Sequence, residues 1–126
     1  MKKIYISVVL ICLIISGCGG VLGLVKNRLP SPHKVEGGYL FQLDKPGASS
    51  VQIVGNFNEW GKNENGVIKD PEIGKFTKNS EGIWQIILKL PQGRHIYKMV
   101  IDRNSWIKDP NNRDEDSSGN SLIIVD

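Results

Sequence analysis

The chain has 126 residues, the usual size of a single domain, with 40% hydrophobic and 23% charged residues, which are ordinary values for a globular protein. Of its 16 basic residues, Lys2 and Lys3 lie at the N-terminus, and 13 residues are acidic. Without these two lysines the net charge of the chain is close to zero, which excludes the strongly basic class of nucleic-acid-binding domains. We therefore expect no nucleic acid as a partner.

Residues 1–17 have the pattern of a secretory signal peptide. Two lysines precede an apolar run from Ile4 to Ile15, and small residues follow the run. The run is shorter than the roughly 20 residues that span a bilayer. Cleavage of this segment is therefore the main prediction, and a retained signal anchor is the alternative.

The sequence Ile15-Ser16-Gly17-Cys18 resembles the lipobox of bacterial lipoproteins. In that family a lipid is attached to the cysteine, which becomes the new N-terminus after cleavage. The resemblance implies that Cys18 is lipidated and holds the protein in the bacterial cell envelope. The outer membrane is the default, because Gly19 rather than Asp follows the cysteine. A chance cysteine beside an ordinary signal peptide is the alternative.

Residues 18–36 are predicted to be a tether and residues 37–126 a single domain. Glycines come early in the tether and Pro30 and Pro32 come late, and proline favours an extended chain. The remaining cysteine, Cys12, lies in the signal peptide, so we expect a domain without disulfides that depends on its core.

The domain has the pattern of short β-strands separated by turns. Apolar residues alternate with other residues in several segments, and the longest polar stretch, residues 61–75, is predicted to be a loop. Trp84 is in phase with Ile86 and Leu88, so we expect it in the core. This spacing of strands and turns is typical of a β-sandwich. The predicted inward-facing sets are Tyr39, Phe41 and Leu43, then Val51 and Ile53, then Trp84, Ile86 and Leu88, then Tyr97, Met99 and Ile101.

Several short motifs then occur in order along the domain. They are Gly55-Asn56-Phe57-Asn58-Glu59-Trp60, Gly82-Ile83-Trp84, Leu90-Pro91-Gln92-Gly93, Tyr97-Lys98, Ile101-Asp102, Trp106, Asp109-Pro110 and Gly119-Asn120-Ser121. Together they resemble the family 48 carbohydrate-binding modules, which include the glycogen-binding domain of the AMP-activated protein kinase β subunit and the N-terminal domains of glycogen branching enzymes and isoamylases. The resemblance covers residues 35–126. It implies an immunoglobulin-like, early-set β-sandwich that binds α-1,4-linked glucan, such as glycogen, starch or maltodextrins.

The resemblance also implies four carbohydrate-binding residues, namely Trp60, Lys98, Trp106 and Asn120. An indole can cover the apolar C–H face of a pyranose ring, and lysine and asparagine side chains can bind its hydroxyl groups. No strand alternation carries Trp60 or Trp106 inward, because both lie in turn-like segments, so we expect both to be exposed. A buried role for these tryptophans and an ordinary solvated role for Lys98 are the alternatives.

The segment before Asn120 departs from the kinase pattern. The sequence EDSSGN is shorter than the corresponding loop and has no residue that matches its leucine, although Ser118 is a candidate counterpart of its threonine. One wall of the predicted site therefore depends on this loop. The alternative function is an envelope protein-interaction module of the same fold that has lost sugar binding. In that alternative the tryptophans would be anchors in an interface with another envelope protein. In the glucan-binding interpretation, the chain holds the polymer or recruits a separate enzyme, such as a glycoside hydrolase, to it.

We predict no catalytic residue and no cofactor. Glycoside hydrolysis needs two carboxylates across a cleft, which a sandwich of this size rarely forms. Asp102 and Asp109 have the sequence context of turn residues. The expected function is therefore binding without catalysis.

We also predict no metal site. Asp114, Asp116 and Ser118 have the spacing of calcium ligands in a loop, but Val125 stands where such a loop requires glutamate. The two histidines are too few and too far apart in sequence for zinc. We expect His95 at the surface, near the end of a strand.

Overall fold

The segments of alternating apolar residues form two antiparallel sheets. The computed structural model describes residues 29–126. The predicted signal peptide, Cys18 with its predicted lipid, and the first part of the predicted tether lie outside the described residues.

In chain order the strands are His33–Val35 (β1), Gly38–Leu43 (β2), Val51–Gly55 (β3), Thr77–Lys78 (β4), Trp84–Leu88 (β5), Gly93–Ile101 (β6), Ser105–Ile107 (β7) and Ser121–Val125 (β8). A short left-handed turn, Glu59–Lys62, follows β3. The first sheet has the strand order β1-β2-β5-β4. In the second sheet, β6 pairs with β3, with β7 and with β8.

The main core lies between the two sheets. Phe41 from the first sheet and Tyr97 from the second are both fully buried, and their rings meet edge to face with centroids 5.2 Å apart. Trp84 is also buried and donates a 3.0 Å hydrogen bond from its indole to the carbonyl of Lys45. The β-sandwich and the core position of Trp84 predicted from the sequence are thus confirmed.

The first sheet begins earlier than the predicted domain. Strand β1 lies within the segment assigned to the tether and pairs with β2, with His33 opposite Leu40 and Val35 opposite Gly38. A three-residue strand next to two prolines has too little alternation to be distinguished from an extended linker. Among the described residues, no helix is long and apolar enough to cross a membrane.

Strand β6 is the central element of the second sheet. Its residues Tyr97, Met99 and Ile101 face the main core, as the alternation predicted. Val100 points to the opposite face and contributes to a separate apolar cluster there. His95 is 6% exposed and contacts the carbonyl of Pro91 through Nε2 at 2.7 Å, so the expected surface position was wrong. Its ring packs edge-on to that of Phe57.

Candidate functional site

The outer face of the second sheet carries a small apolar cluster. Val54 on β3, Val100 on β6 and Ile68 from the long loop are each 0% exposed. Trp60 and Trp106 pack against this cluster and remain partly exposed. An indole that is supported from below and open above offers a flat apolar surface to a ligand.

The motif residues Asn56 and Asn58 fix the chain as it leaves β3. The side-chain oxygen of Asn58 accepts the Gly55 N–H at 3.0 Å, and its amide donates to the carbonyl of Ile53 at 3.0 Å. The side-chain oxygen of Asn56 accepts the Ile96 N–H at 3.0 Å. These bonds tie the start of the turn to both β3 and β6, which sets where Trp60 emerges.

A left-handed turn then places Trp60 on the cluster. Backbone φ is +56° at Glu59, +52° at Trp60, +71° at Gly61 and +52° at Lys62. Such values are strained for residues with side chains and persist only where the surroundings impose them, often at binding sites. At Gly61 only glycine fits, because a Cβ atom would lie 2.7 Å from Val54 Cγ1 and 2.9 Å from Ile68 Cδ1.

A tight hairpin beside the turn holds the second tryptophan. Glu64 and Val67 exchange backbone hydrogen bonds of 2.9 and 3.1 Å around Asn65 and Gly66, whose φ values are +54° and +85°. Positive φ at both central residues is the signature of a type I′ turn, for which Asn-Gly is the preferred pair. The carbonyl of Gly66 accepts the indole N–H of Trp106 at 2.7 Å. The sequence placed Trp106 in a turn, but it lies on strand β7, where it pairs with Val100.

Lys98 and Asn120 add polar groups to the same face. Lys98 lies on β6 opposite Val54, so strand alternation points it away from the main core. The Asn120 amide donates to Asp116 Oδ2 at 3.1 Å, and Asp116 Oδ1 accepts the Asn120 N–H at 2.8 Å. Both bonds hold the pKa of Asp116 below its usual value, and the bond from the Asn120 backbone has the larger effect. The contact orients the Asn120 amide.

A buried polar network anchors the chain around Asn120. Asp109 is 2% exposed and accepts the Tyr97 hydroxyl at 2.7 Å. Its backbone N–H donates to the Ser121 hydroxyl at 2.9 Å. Burial raises the pKa of the Asp109 carboxyl, and burial together with the Asp109 charge raises the pKa of Tyr97. The sequence predicted Asp109 as a turn residue; it follows β7, and its buried carboxylate and backbone fix the residue next to Asn120.

These elements enclose an open depression of about 320 Å³. All four residues predicted from the sequence line it, and the structure adds a fifth. The lining residues are Trp60, Asn63, Lys98, Trp106 and Asn120. Sequence reasoning missed Asn63 because it lies in a segment predicted as an irregular polar loop. The Asn65-Gly66 pair, a hairpin signal, could have indicated local order there.

The lining offers two kinds of contact. The indoles offer apolar faces, lysine offers only hydrogen-bond donors, and asparagine offers both a donor and an acceptor. In residues 29–126, the His, Asp and Glu side chains form no group of three or more that could hold a metal ion. The arrangement thus combines flat apolar surface with hydroxyl-binding groups.

The sequence of residues 39–126 matches the family described as the glycogen recognition site of AMP-activated protein kinase. The match spans most of the chain. The chain belongs to this family. The family resemblance seen in the motifs is therefore confirmed, while the sugar-binding roles of Trp60, Lys98, Trp106 and Asn120 remain predictions.

Parts of this chain are similar to parts of two bacterial enzymes. A 1,4-alpha-glucan branching enzyme GlgB from Fusobacterium nucleatum subsp. nucleatum is 32% identical over 74 residues, which is 59% of this chain and 11% of the enzyme. The enzyme of the same name from Lactobacillus acidophilus is 29% identical over 63 residues, or 50% of this chain and 8% of the enzyme. The chain thus matches only about a tenth of each of these relatives.

Proposed function

We propose that this chain binds α-1,4-glucan without catalysis and is held at the bacterial cell envelope by a lipid on Cys18. The observation that carries the binding proposal is the placement of Trp60 and Trp106 on one depression, beside Lys98 and Asn120. That arrangement occurs in a chain of the glycogen-recognition family. Glycogen, starch and maltodextrins are the ligands of matching chemistry.

Binding follows from the shape of the sugar. A pyranose ring stacks its C–H face on an indole, and two indoles set apart can follow the curve of an α-glucan chain. The Lys98 ammonium donates to ring hydroxyls, and the Asn120 amide can donate or accept. Contacts in an open depression contribute about 1 kcal/mol each, so we expect a dissociation constant between about 10 μM and 1 mM. A branched polymer with many chain ends would raise the effective affinity.

The non-catalytic part of the proposal rests on the lining. Its five residues are two tryptophans, two asparagines and a lysine, and none is a carboxylate. Glycoside hydrolysis ordinarily requires a pair of carboxylates. The branching activity of the relatives belongs to proteins that this chain matches over about a tenth of their length. Retention of polymer, for use by a separate enzyme, is the function that these groups favour.

The envelope location rests on the sequence of residues 15–18. Several acyl chains on one cysteine would anchor the protein stably, since each buried CH₂ contributes about 0.8 kcal/mol. Growth of the producing bacterium with labelled palmitate should label the wild-type chain, and Cys18→Ser should abolish the label. A labelled serine variant would refute lipidation at Cys18.

Affinity electrophoresis of the full chain in gels with glycogen or amylose tests the binding function. We expect retardation of wild type, but not in gels with a β-1,4-glucan, and we expect its loss in Trp60→Ala and Trp106→Ala. The matched control is Ile87→Ala, which removes an apolar side chain that is 50% exposed on the other sheet. Circular dichroism checks that each variant folds. No retardation of folded wild type would exclude glucan binding and favour a protein partner.

A further inference from the structure

A continuous hydrogen-bonded path joins the two tryptophans, and Asn63 is at its centre. The Asn63 amide nitrogen donates to the carbonyl of Trp60 at 3.0 Å, and its side-chain oxygen accepts the Gly66 N–H at 3.0 Å. The carbonyl of Gly66 in turn accepts the indole N–H of Trp106 at 2.7 Å. One side chain therefore contacts the turn that carries Trp60 and the hairpin that holds Trp106.

The strand framework places the two tryptophans near each other but leaves Trp60 outside the paired residues. Strands β3 and β7 both pair with β6, whereas Trp60 lies in the left-handed turn that follows β3, so strand pairing does not by itself orient Trp60 toward Trp106. They share the apolar support of Val54, Ile68 and Val100, but apolar contact restricts position more than orientation, because it is non-directional. Hydrogen bonds are directional and add orientation.

We infer that Asn63 is a positioning residue that fixes the two indoles relative to each other, so that they present one surface to a sugar chain. The part of this inference that concerns sugar binding rests on the proposed function. The path also has a consequence for recognition. The indole N–H of Trp106 is occupied by the carbonyl of Gly66, so Trp106 offers a sugar its ring face rather than a hydrogen-bond donor.

The test has one readout without sugar and one with it. In the full chain labelled with ¹⁵N, each tryptophan gives an indole N–H signal. In Asn63→Ala we expect the Trp106 indole signal to shift and its hydrogen exchange with water to accelerate, while the Trp84 signal stays constant. With maltoheptaose as the probe, we expect the dissociation constant to rise about tenfold, as two directional contacts are lost.

Two further variants separate positioning from general stability. Asn63→Asp keeps the acceptor for Gly66 but loses the donor to Trp60, so we expect an unchanged Trp106 indole and an intermediate affinity. Asn79→Ala is the matched control, because Asn79 also accepts two loop N–H groups, from Glu81 and Ile83, in the turn before β5. It should leave both readouts unchanged. If Asn63→Ala unfolds, Asn63→Asp carries the test through the Trp60 indole signal, which should shift because the donor to the Trp60 carbonyl is lost; an unchanged Trp60 signal and unchanged affinity would overturn the inference.

The outcomes distinguish the two claims. Unchanged indole signals and exchange in folded Asn63→Ala would overturn the positioning role, whether or not sugar binds. Failure of wild type to bind maltoheptaose and glycogen would overturn the proposed function, while a shifted Trp106 indole would still support the hydrogen-bonded path. Altered indoles with an unchanged dissociation constant would show that relative orientation does not govern binding, and would overturn the inference about recognition.

Discussion

The two faces of strand β6 differ in what surrounds them, although they alternate residue by residue. Tyr97 and Met99 face the core between the sheets and are 0% exposed. On the other face, Val100 is equally buried, but beneath two partly exposed tryptophans rather than a second sheet. The comparison shows that buried apolar residues have two different roles on the two faces of β6. One face stabilises the sandwich, and the other supports a depression that is open to solvent.

The largest expected effect separates stability from binding on the inner face. Met99→Ala should lower the free energy of unfolding by about 2–5 kcal/mol, because it leaves a cavity among fully packed side chains. The dissociation constant for maltoheptaose should stay within twofold of wild type, since Met99 points away from the depression. Urea denaturation and calorimetric titration measure the two quantities. A large loss of affinity in the folded variant would mean that the faces are coupled.

The second prediction tests the polar part of the inner face. Tyr97→Phe leaves the buried Asp109 carboxylate without its 2.7 Å donor, and should lower the free energy of unfolding by about 1–3 kcal/mol at neutral pH.

The penalty of Tyr97→Phe should depend on pH. Burial raises the Asp109 pKa, so the folded state binds this proton more tightly than the unfolded state. The stability linked to the proton is fully present below the ordinary value of 3.8 and is lost as pH rises through the folded value. The Tyr97 bond acts against burial, because it favours the charged carboxylate and lowers the Asp109 pKa. Tyr97→Phe should therefore raise this pKa further, and its penalty should be smaller in acid, where Asp109 is protonated. Denaturation at several pH values measures it, and an equal penalty throughout would contradict the account.

A matching change on the outer face should affect both quantities. Val100→Ala removes support beneath both indoles, so we expect a loss of about 1–2 kcal/mol in stability from the smaller buried area. We also expect several-fold weaker binding of maltoheptaose. Val100→Ile, which keeps an apolar side chain there, is the control for affinity. If Val100→Ala loses stability but keeps wild-type affinity, the cluster does not support the site.

Lys98 should show the reverse pattern. Lys98→Met keeps most of the side-chain stem but removes the hydrogen-bond donors, so the maltoheptaose affinity should fall about fivefold, or by about 1 kcal/mol. Stability should change by less than about 0.5 kcal/mol, as is usual for a surface substitution. The exposed Lys89, on the segment after β5, gives a control in Lys89→Met. Equal binding by both variants would exclude Lys98 from the site.

The smallest expected effect concerns acid. The Asp116 pKa lies below its ordinary value of 3.8, chiefly through the bonds from Asn120, with smaller contributions from the Ser118 N–H and then Arg94. The bonds are therefore present above that value and are lost as pH falls through the lowered pKa. Maltoheptaose affinity should be constant from neutral pH down to about 3.8 and should weaken as pH falls further, through the lowered pKa of Asp116. Asp116→Asn should reduce this dependence, and a wild-type affinity that changes at pH 5–7 would argue against this source.

Strand alternation predicted the part of the fold that depends on local pattern. It placed Trp84 and Tyr97 in the core, and the motifs placed Trp60 and Trp106 at one depression. It did not predict β1, because His33–Val35 is short and joins the sheet through pairing with β2. It also missed the burial of Asp109, which depends on the Tyr97 hydroxyl 12 residues away.

The role of Asn63 could not be predicted for a similar reason. Its contacts form because the hairpin around Asn65 and Gly66 meets an indole 40 residues further along the chain. A polar residue in a polar loop has no sequence pattern that predicts such a long-range contact. Sites assembled from loops are therefore less predictable than the strands that hold them.

The most direct measurement is a titration of the ¹⁵N-labelled chain with maltoheptaose, following the three tryptophan indole signals. Trp84 is the internal control, since its indole is buried and bonded to Lys45. The account predicts saturable shifts of the Trp60 and Trp106 signals with a common dissociation constant and a constant Trp84 signal. Indole signals that do not move at millimolar maltoheptaose, or a shift of Trp84 alone, would contradict it.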